Sequence, residues 1–130
     1  MPELNRILYV EDDDDIRQVS QLALEDVGGY EVMLCESGQQ ALDSVASFNP
    51  DLILLDVMMP DMDGIETFHK LQDQGALDGV PVILMTAKVH PEEMARYREM
   101  GVVDVIPKPF DPMTVSEEIA RIWERCHDGQ

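Results

Sequence analysis

The sequence predicts an α/β domain: a parallel sheet of five strands with helices on both faces, in the strand order 2-1-3-4-5. Two observations carry this prediction. Five short apolar runs alternate with five segments of helical periodicity through 130 residues, and such alternation makes parallel strands joined by crossover helices. The run Leu52-Ile53-Leu54-Leu55 is apolar without interruption, as in a strand buried on both faces. One domain, residues 1–130, fills this length, and 45% apolar content supports a single core.

Each element follows from local signals. Arg6-Ile7-Leu8-Tyr9-Val10 reads as the first strand, leaving into Glu11-Asp12-Asp13-Asp14-Asp15. The aspartates open a helix, where acids suit the positive end of the helix dipole. Its expected inward stripe is Ile16, Val19, Ala23 and Val27 with Leu22 beside it, stopped by Gly28-Gly29. Tyr30 to Cys35 makes the second strand, and Ser37 caps a helix that buries Ala41, Leu42, Val45 and Phe48 and ends at Asn49-Pro50.

The third strand is the Leu52 run, ending at Asp56. Beyond Gly64 a helix through Ile65, Phe68 and Leu71 gives way to a polar loop at Asp73 to Gly79. Val80 to Thr86 is the fourth strand, with Pro81 tolerable at its start. A helix from Pro91 to Met100 stops at Gly101. Val102 to Ile106 forms a fifth strand that leads into Pro107-Lys108-Pro109-Phe110. The last helix starts near Pro112 and buries Val115, Ile119, Ile122 and Cys126, with fraying expected after Trp123. The whole is a flavodoxin-like, doubly wound (βα)5 pattern.

Composition narrows the function. A formal charge of −18 argues against direct contact with nucleic acid or an anionic membrane, both of which reward Lys and Arg. Cys35 and Cys126 alone do not make a disulfide framework. The start of the chain lacks the features of a signal peptide, and no run is long enough to cross a membrane. A soluble, cytoplasmic protein without membrane insertion is expected.

In such a sheet ligands bind past the carboxyl ends of the strands, where the strand order reverses between the first and third. Glu11, Asp12, Asp56, Thr86 and Lys108 all fall there. Three crowded carboxylates repel, and a hard divalent cation neutralises them; Mg²⁺ fits best, because it accepts one or two carboxylates, waters, a carbonyl and phosphate oxygens. Thr86 and Lys108 add a hydroxyl and an ammonium aimed at an anion. Together these groups can stabilise a transferred phosphoryl group, with Asp56 as acceptor.

Simpler roles exist for each residue. Asp56 alone could cap a loop, Glu11 and Asp12 could begin a solvated acidic helix, Thr86 could be a β-branched strand residue and Lys108 an ordinary surface lysine. Asp13, Asp14 and Asp15 are read as that solvated helix start. Asp61 and Asp63 are read as loop and helix-start residues. It is the set in register that favours chemistry.

The sequence resembles a response-regulator receiver domain of the chemotaxis-regulator kind, the phosphoacceptor of two-component signalling. The resemblance rests on four stretches: Ile7-Leu8-Tyr9-Val10-Glu11-Asp12, Asp56-Val57-Met58-Met59-Pro60-Asp61-Met62-Asp63-Gly64, Met85-Thr86-Ala87 and Lys108-Pro109-Phe110. It implies that Asp56 is phosphorylated by a sensor histidine kinase or a histidine phosphotransfer protein. It implies that Glu11, Asp12, Asp56 and the main-chain carbonyl of Met58 hold Mg²⁺, while Thr86 and Lys108 contact the phosphoryl oxygens. It also implies a cis Lys108-Pro109 bond. The output would be a downstream protein bound through the fourth helix, fifth strand and fifth helix, with Lys88, Glu92, Arg96 and Tyr97 in its footprint. Val105 stands where many members carry a Tyr or Phe that swings inward during switching.

Three function classes are compatible with a small α/β domain of this kind. A phosphoacceptor switch, stand-alone or a fragment of a longer regulator, that catalyses only its own phosphorylation and dephosphorylation is favoured. A small Mg²⁺-dependent phosphatase would need a further general base, which is not apparent, and haloacid-dehalogenase-like chemistry at Asp61-Met62-Asp63 would need a longer chain. A flavin-binding electron carrier would need a phosphate-cradling loop after the first strand, where four consecutive aspartates repel phosphate.

Overall fold

The computed structural model describes residues 3–87 and 90–128. Strands β1 (Arg6–Val10), β2 (Glu31–Cys35), β3 (Leu52–Asp56), β4 (Val82–Thr86) and β5 (Asp104–Pro107) alternate with helices α1 (Asp14–Gln21), α2 (Gly38–Phe48), α3 (Gly64–Asp73), α4 (Pro91–Met100) and α5 (Val115–Asp128). All strand pairs are parallel, in the order β2-β1-β3-β4-β5. The doubly wound, flavodoxin-like sheet expected from the sequence is the one observed.

Period-two alternation sorts the strand side chains between two cores. Leu8, Val10, Ile53, Leu55, Val82, Leu84 and Val105 pack with Ala41, Val45 and Phe48 of α2, Phe68 and Leu71 of α3 and Tyr97 of α4. Ile7, Tyr9, Leu52, Leu54, Ile83, Met85 and Ile106 pack on the opposite face with Val115, Ile119, Ile122 and Trp123 of α5 and with Ala23 and Leu24 after α1. β3 and β4 are buried along their whole length, because both faces are covered. Each fully buried leucine here contributes about 1.5–3 kcal/mol relative to exposure.

Four expectations need correction. Val19, Leu22 and Val27 do not face inward but are exposed; Ser20 and Leu24 are buried instead, beside Ala23, which lies inward as expected. Apolar residues on two sides of this helix leave its phase ambiguous in sequence. The chain then settles it by widening into a π-helical segment, Leu22–Val27, where the Gly28 N–H donates to Ala23 O at 3.1 Å. Hydrogen bonds of that kind span one residue more than in an α-helix, which shifts the phase of the residues after them. Tyr97, expected in the partner footprint, is buried in the core, its hydroxyl 3.5 Å from Glu93. Lys88 lies outside the described residues. The fifth helix begins at Val115 rather than near Pro112, and it continues through Asp128 instead of fraying after Trp123. Trp123 is itself buried and Cys126 packs at the edge of the core, so packing on the sheet holds the last turns.

Candidate functional site

The strand ends carry the site, and the sheet's own hydrogen bonds run one residue further to fix it. The Glu11 N–H donates to Cys35 O at 3.0 Å, the Val57 N–H to Met85 O at 3.0 Å and the Lys108 N–H to Thr86 O at 2.9 Å. Each bond continues a parallel ladder into the first loop residue. Glu11, Asp56 and Lys108 therefore leave the sheet from backbone that is still part of it.

Glu11 and Asp56 are 1% and 2% exposed, in contrast to exposed Asp12. One carboxylate oxygen from each of these three residues lies within 4.8 Å of the others. Lys108 bridges two of them: Nζ sits 2.8 Å from Glu11 Oε1 and 3.2 Å from Asp56 Oδ1. Burial pushes the Glu11 carboxyl above its ordinary value; its bond to Lys108 opposes the rise and neighbouring Asp56 adds to it. Asp12 is raised likewise, by desolvation first and then by Glu11. For Lys108, burial disfavours the charged form, but the bond to Glu11 and the charges of Asp56 and Glu11 outweigh it, so its pKa is raised. The pocket thus wants more positive charge than one ammonium provides.

The loop after β3 is pinned as tightly. The Gly64 N–H returns to Val57 O at 2.9 Å, and a Cβ at position 64 would stand 2.2 Å from Asp56 O. Only glycine lets α3 begin this close to the phosphoacceptor candidate. Asp63 caps α3, accepting from the Glu66 N–H at 2.8 Å, and Asp61 takes a left-handed turn conformation with φ 66°. Asp63 and Asp61 are therefore helix-start and loop residues, as their sequence suggested.

Thr86 is buried at the end of β4, paired in register with Pro107. Met58 lies two residues past Asp56 with its side chain exposed. The Lys108-Pro109 peptide is cis. Asp13 is the N-cap of α1, accepting from the Asp15 and Ile16 N–H groups at 2.9 and 3.1 Å, and Asp14 and Asp15 are exposed. The aspartate run thus divides into ligand candidates and a helix start. Sequence reasoning passed over two residues here. Gly64 matters by close approach, which spacing does not reveal. Arg17 reaches back from α1 to the Glu11 carbonyl, and a basic residue three places after an acid was its only signal.

A doubly wound parallel sheet with three carboxylates and an ammonium at its switch point defines a charged pocket where sheets of this kind bind ligands. The chain belongs to the response regulator receiver domain family, whose model matches residues 7–120. Phosphoacceptance in two-component systems, interaction with histidine kinases and Mg²⁺ binding are general in that family. The chain is 38% identical over 117 residues to the response regulator MprA of Mycolicibacterium vanbaalenii, covering 90% of this chain and 48% of that protein. It is 35% identical over 125 residues to the transcriptional regulatory protein CseB of Streptomyces coelicolor, covering 96% and 52%. The chain therefore spans about half the length of these relatives. Among solved structures, chemotaxis protein CheY4 of Vibrio cholerae superposes with a TM-score of 0.84 at 30% identity, covering 92% of this chain and 99% of that one. A CheY-like receiver domain protein from Methanospirillum hungatei gives 0.80 at 29% identity, covering 97% and 98%.

Proposed function

We propose that Asp56 accepts a phosphoryl group from the phosphohistidine of a sensor histidine kinase or a histidine phosphotransfer protein, and that the modified chain changes its affinity for a protein partner. One observation carries the reading: Asp56, Glu11, Asp12 and Lys108 converge in a single pocket at the switch point. In the transfer, the N–P bond of the donor breaks as an Asp56 carboxylate oxygen forms the new P–O bond. The electron pair returns to the imidazole nitrogen. Lys108, already beside Asp56, offsets charge on the phosphoryl oxygens, and Thr86 supplies a hydroxyl to them.

The donor set suits Mg²⁺: three hard carboxylate oxygens lie within 4.8 Å, and the Met58 main-chain carbonyl is the fourth proposed ligand. When bound, Mg²⁺ would neutralise charge that the carboxylates and a phosphoryl group cannot share unaided. The chain's own catalysis is confined to its phosphorylation and dephosphorylation. A reducing, cytoplasmic setting is assigned, in which thiols such as those of Cys35 and Cys126 stay reduced. Among the described residues no helix is long and apolar enough to cross a membrane.

Output is assigned to α4, β5 and α5, where Arg125 of α5 pairs with Asp104 of β5 and Glu92 and Arg96 are exposed on α4. Val105 is buried with Tyr97 in the core beneath α4. No aromatic swing at position 105 is available, and transmission is assigned to a shift of the loops after β4 and β5. A formal charge of −18 favours a protein partner over nucleic acid.

The test is direct. Acetyl phosphate or phosphoramidate with Mg²⁺ should add one phosphoryl group to the purified chain, read by intact mass, and Asp56→Asn should accept none. Equal labelling of the two proteins would remove Asp56 as the acceptor.

A further inference from the structure

We infer that Arg17 is a positioning residue for the metal-binding pair Glu11 and Asp12, acting through the main chain between β1 and α1. This rests on the reading that the acidic pocket holds Mg²⁺. The Arg17 side chain leaves the first turn of α1 and folds back over the loop. Its Nη1 donates to the Glu11 carbonyl at 2.7 Å, a contact made across six residues, while Nη2 pairs with Asp14. The side chain is 12% exposed whereas Asp14 is 80% exposed. An ordinary i,i+3 ion pair on a helix surface leaves both partners in water and contributes little.

What Arg17 adds is a hold on the main-chain carbonyl of a short peptide. The Glu11 N–H is held by Cys35 O at 3.0 Å, and the Asp13 carboxylate caps α1 on the far side. The Glu11 carboxylate has holds of its own, from Lys108 Nζ at 2.8 Å and the Asp13 N–H at 3.3 Å, but these leave the Glu11-Asp12 peptide to turn between the anchors, and Asp12 turns with it. The guanidinium takes the Glu11 carbonyl and stops that rotation. Arginine suits the task because its rigid fork serves two acceptors at once and it stays charged. Ligands held in advance bind more tightly, because less freedom is lost when the ion arrives.

Charge alone predicts the opposite sign. A guanidinium beside three carboxylates repels a divalent cation, so removing it should tighten Mg²⁺ binding if electrostatics were its only part. The two roles are therefore separable by direction as well as by size.

Calorimetric titration of the full chain with Mg²⁺, without a phosphodonor, makes the test. Arg17→Gln and Arg17→Ala should each weaken Mg²⁺ about tenfold, and Arg17→Lys, which keeps the charge and one donor, should recover part of the loss. With acetyl phosphate, the Mg²⁺ concentration for half-maximal labelling should rise by the same factor while the rate at saturating Mg²⁺ stays unchanged. Thermal melts report folding, and Arg17→Lys carries the comparison where Arg17→Ala fails to fold. Unchanged or tighter binding in Arg17→Gln overturns the inference, as does a fall in melting temperature without a change in Mg²⁺ affinity. The double variant Glu11→Gln, Asp12→Asn tests the underlying reading separately: it should lose Mg²⁺ binding whatever Arg17 does. A wild-type chain that binds no Mg²⁺ removes that reading and this assignment with it.

Discussion

Replacing Lys108 by Met asks how much the pocket depends on its one ammonium group. The side chain keeps much of its length while the charge is lost from between Glu11 and Asp56, which sit 2.8 and 3.2 Å away and are 1% and 2% exposed. At an effective dielectric of about 20, each contact carries about 5–6 kcal/mol of gross attraction, much of it offset by desolvation. The protein has a less costly escape than leaving both carboxylates charged, because one of them can take up a proton. From the ordinary glutamate value of 4.5, protonation at pH 7 costs about 3 kcal/mol at 1.36 kcal/mol per unit. That figure bounds the expected loss of stability.

The pH dependence follows with a definite sign. A carboxyl whose folded pKa is raised gives stability that is fully present below its unfolded value and lost as pH rises through the folded one. Glu11 is already raised with Lys108 present, so its absence should extend the rise. The raised pKa of Lys108 in the wild type keeps its own contribution intact up to the ordinary lysine range and does not confuse the comparison. Urea unfolding without metal should therefore show Lys108→Met about 2–3 kcal/mol less stable than wild type at pH 7. The gap should narrow toward pH 5, and millimolar Mg²⁺ should close most of it. Variant and wild-type curves that stay within 0.5 kcal/mol and run parallel from about pH 5 to 8 would refute the account of a charge-starved pocket.

Two further outcomes are expected. Gly64→Ala should cost about 3 kcal/mol in urea unfolding, because the new Cβ would meet Asp56 O at 2.2 Å; unaltered stability would mean that the helix start yields easily. Cys35, buried with its thiol pushed up to about 11, should resist iodoacetamide at pH 8 while half-buried Cys126 reacts first; equal labelling rates by peptide mass mapping would contradict the packing at β2.

The fold was legible because nearly every strand is an apolar run with a turn or a glycine on each side. Leu52 to Leu55 needed no knowledge of their neighbours to read as doubly covered. α1 was harder, since its apolar residues occupy two sides and the choice between Val19 and Ser20 as the inward residue belongs to the sheet surface it meets. Tyr97 was misplaced for a similar reason: a phenol that keeps one edge near Glu93 can look like a surface residue in sequence. At the site, the residue types and their places after strands were visible in advance. The bridging position of Lys108, the pressure of Gly64 on Asp56 O and the return of Arg17 to Glu11 O depend on backbone geometry across separate segments. Periodicity carries no information of that kind.

The ladder bonds that run past β1, β3 and β5 to Glu11, Val57 and Lys108 draw a boundary between foundation and façade. Everything before the boundary holds charges at fixed coordinates. Residues after it, such as exposed Met58, can be exchanged to alter what approaches the pocket without relocating the pocket itself. An engineer could retune access to Asp56 from that rim while leaving the reactive frame untouched.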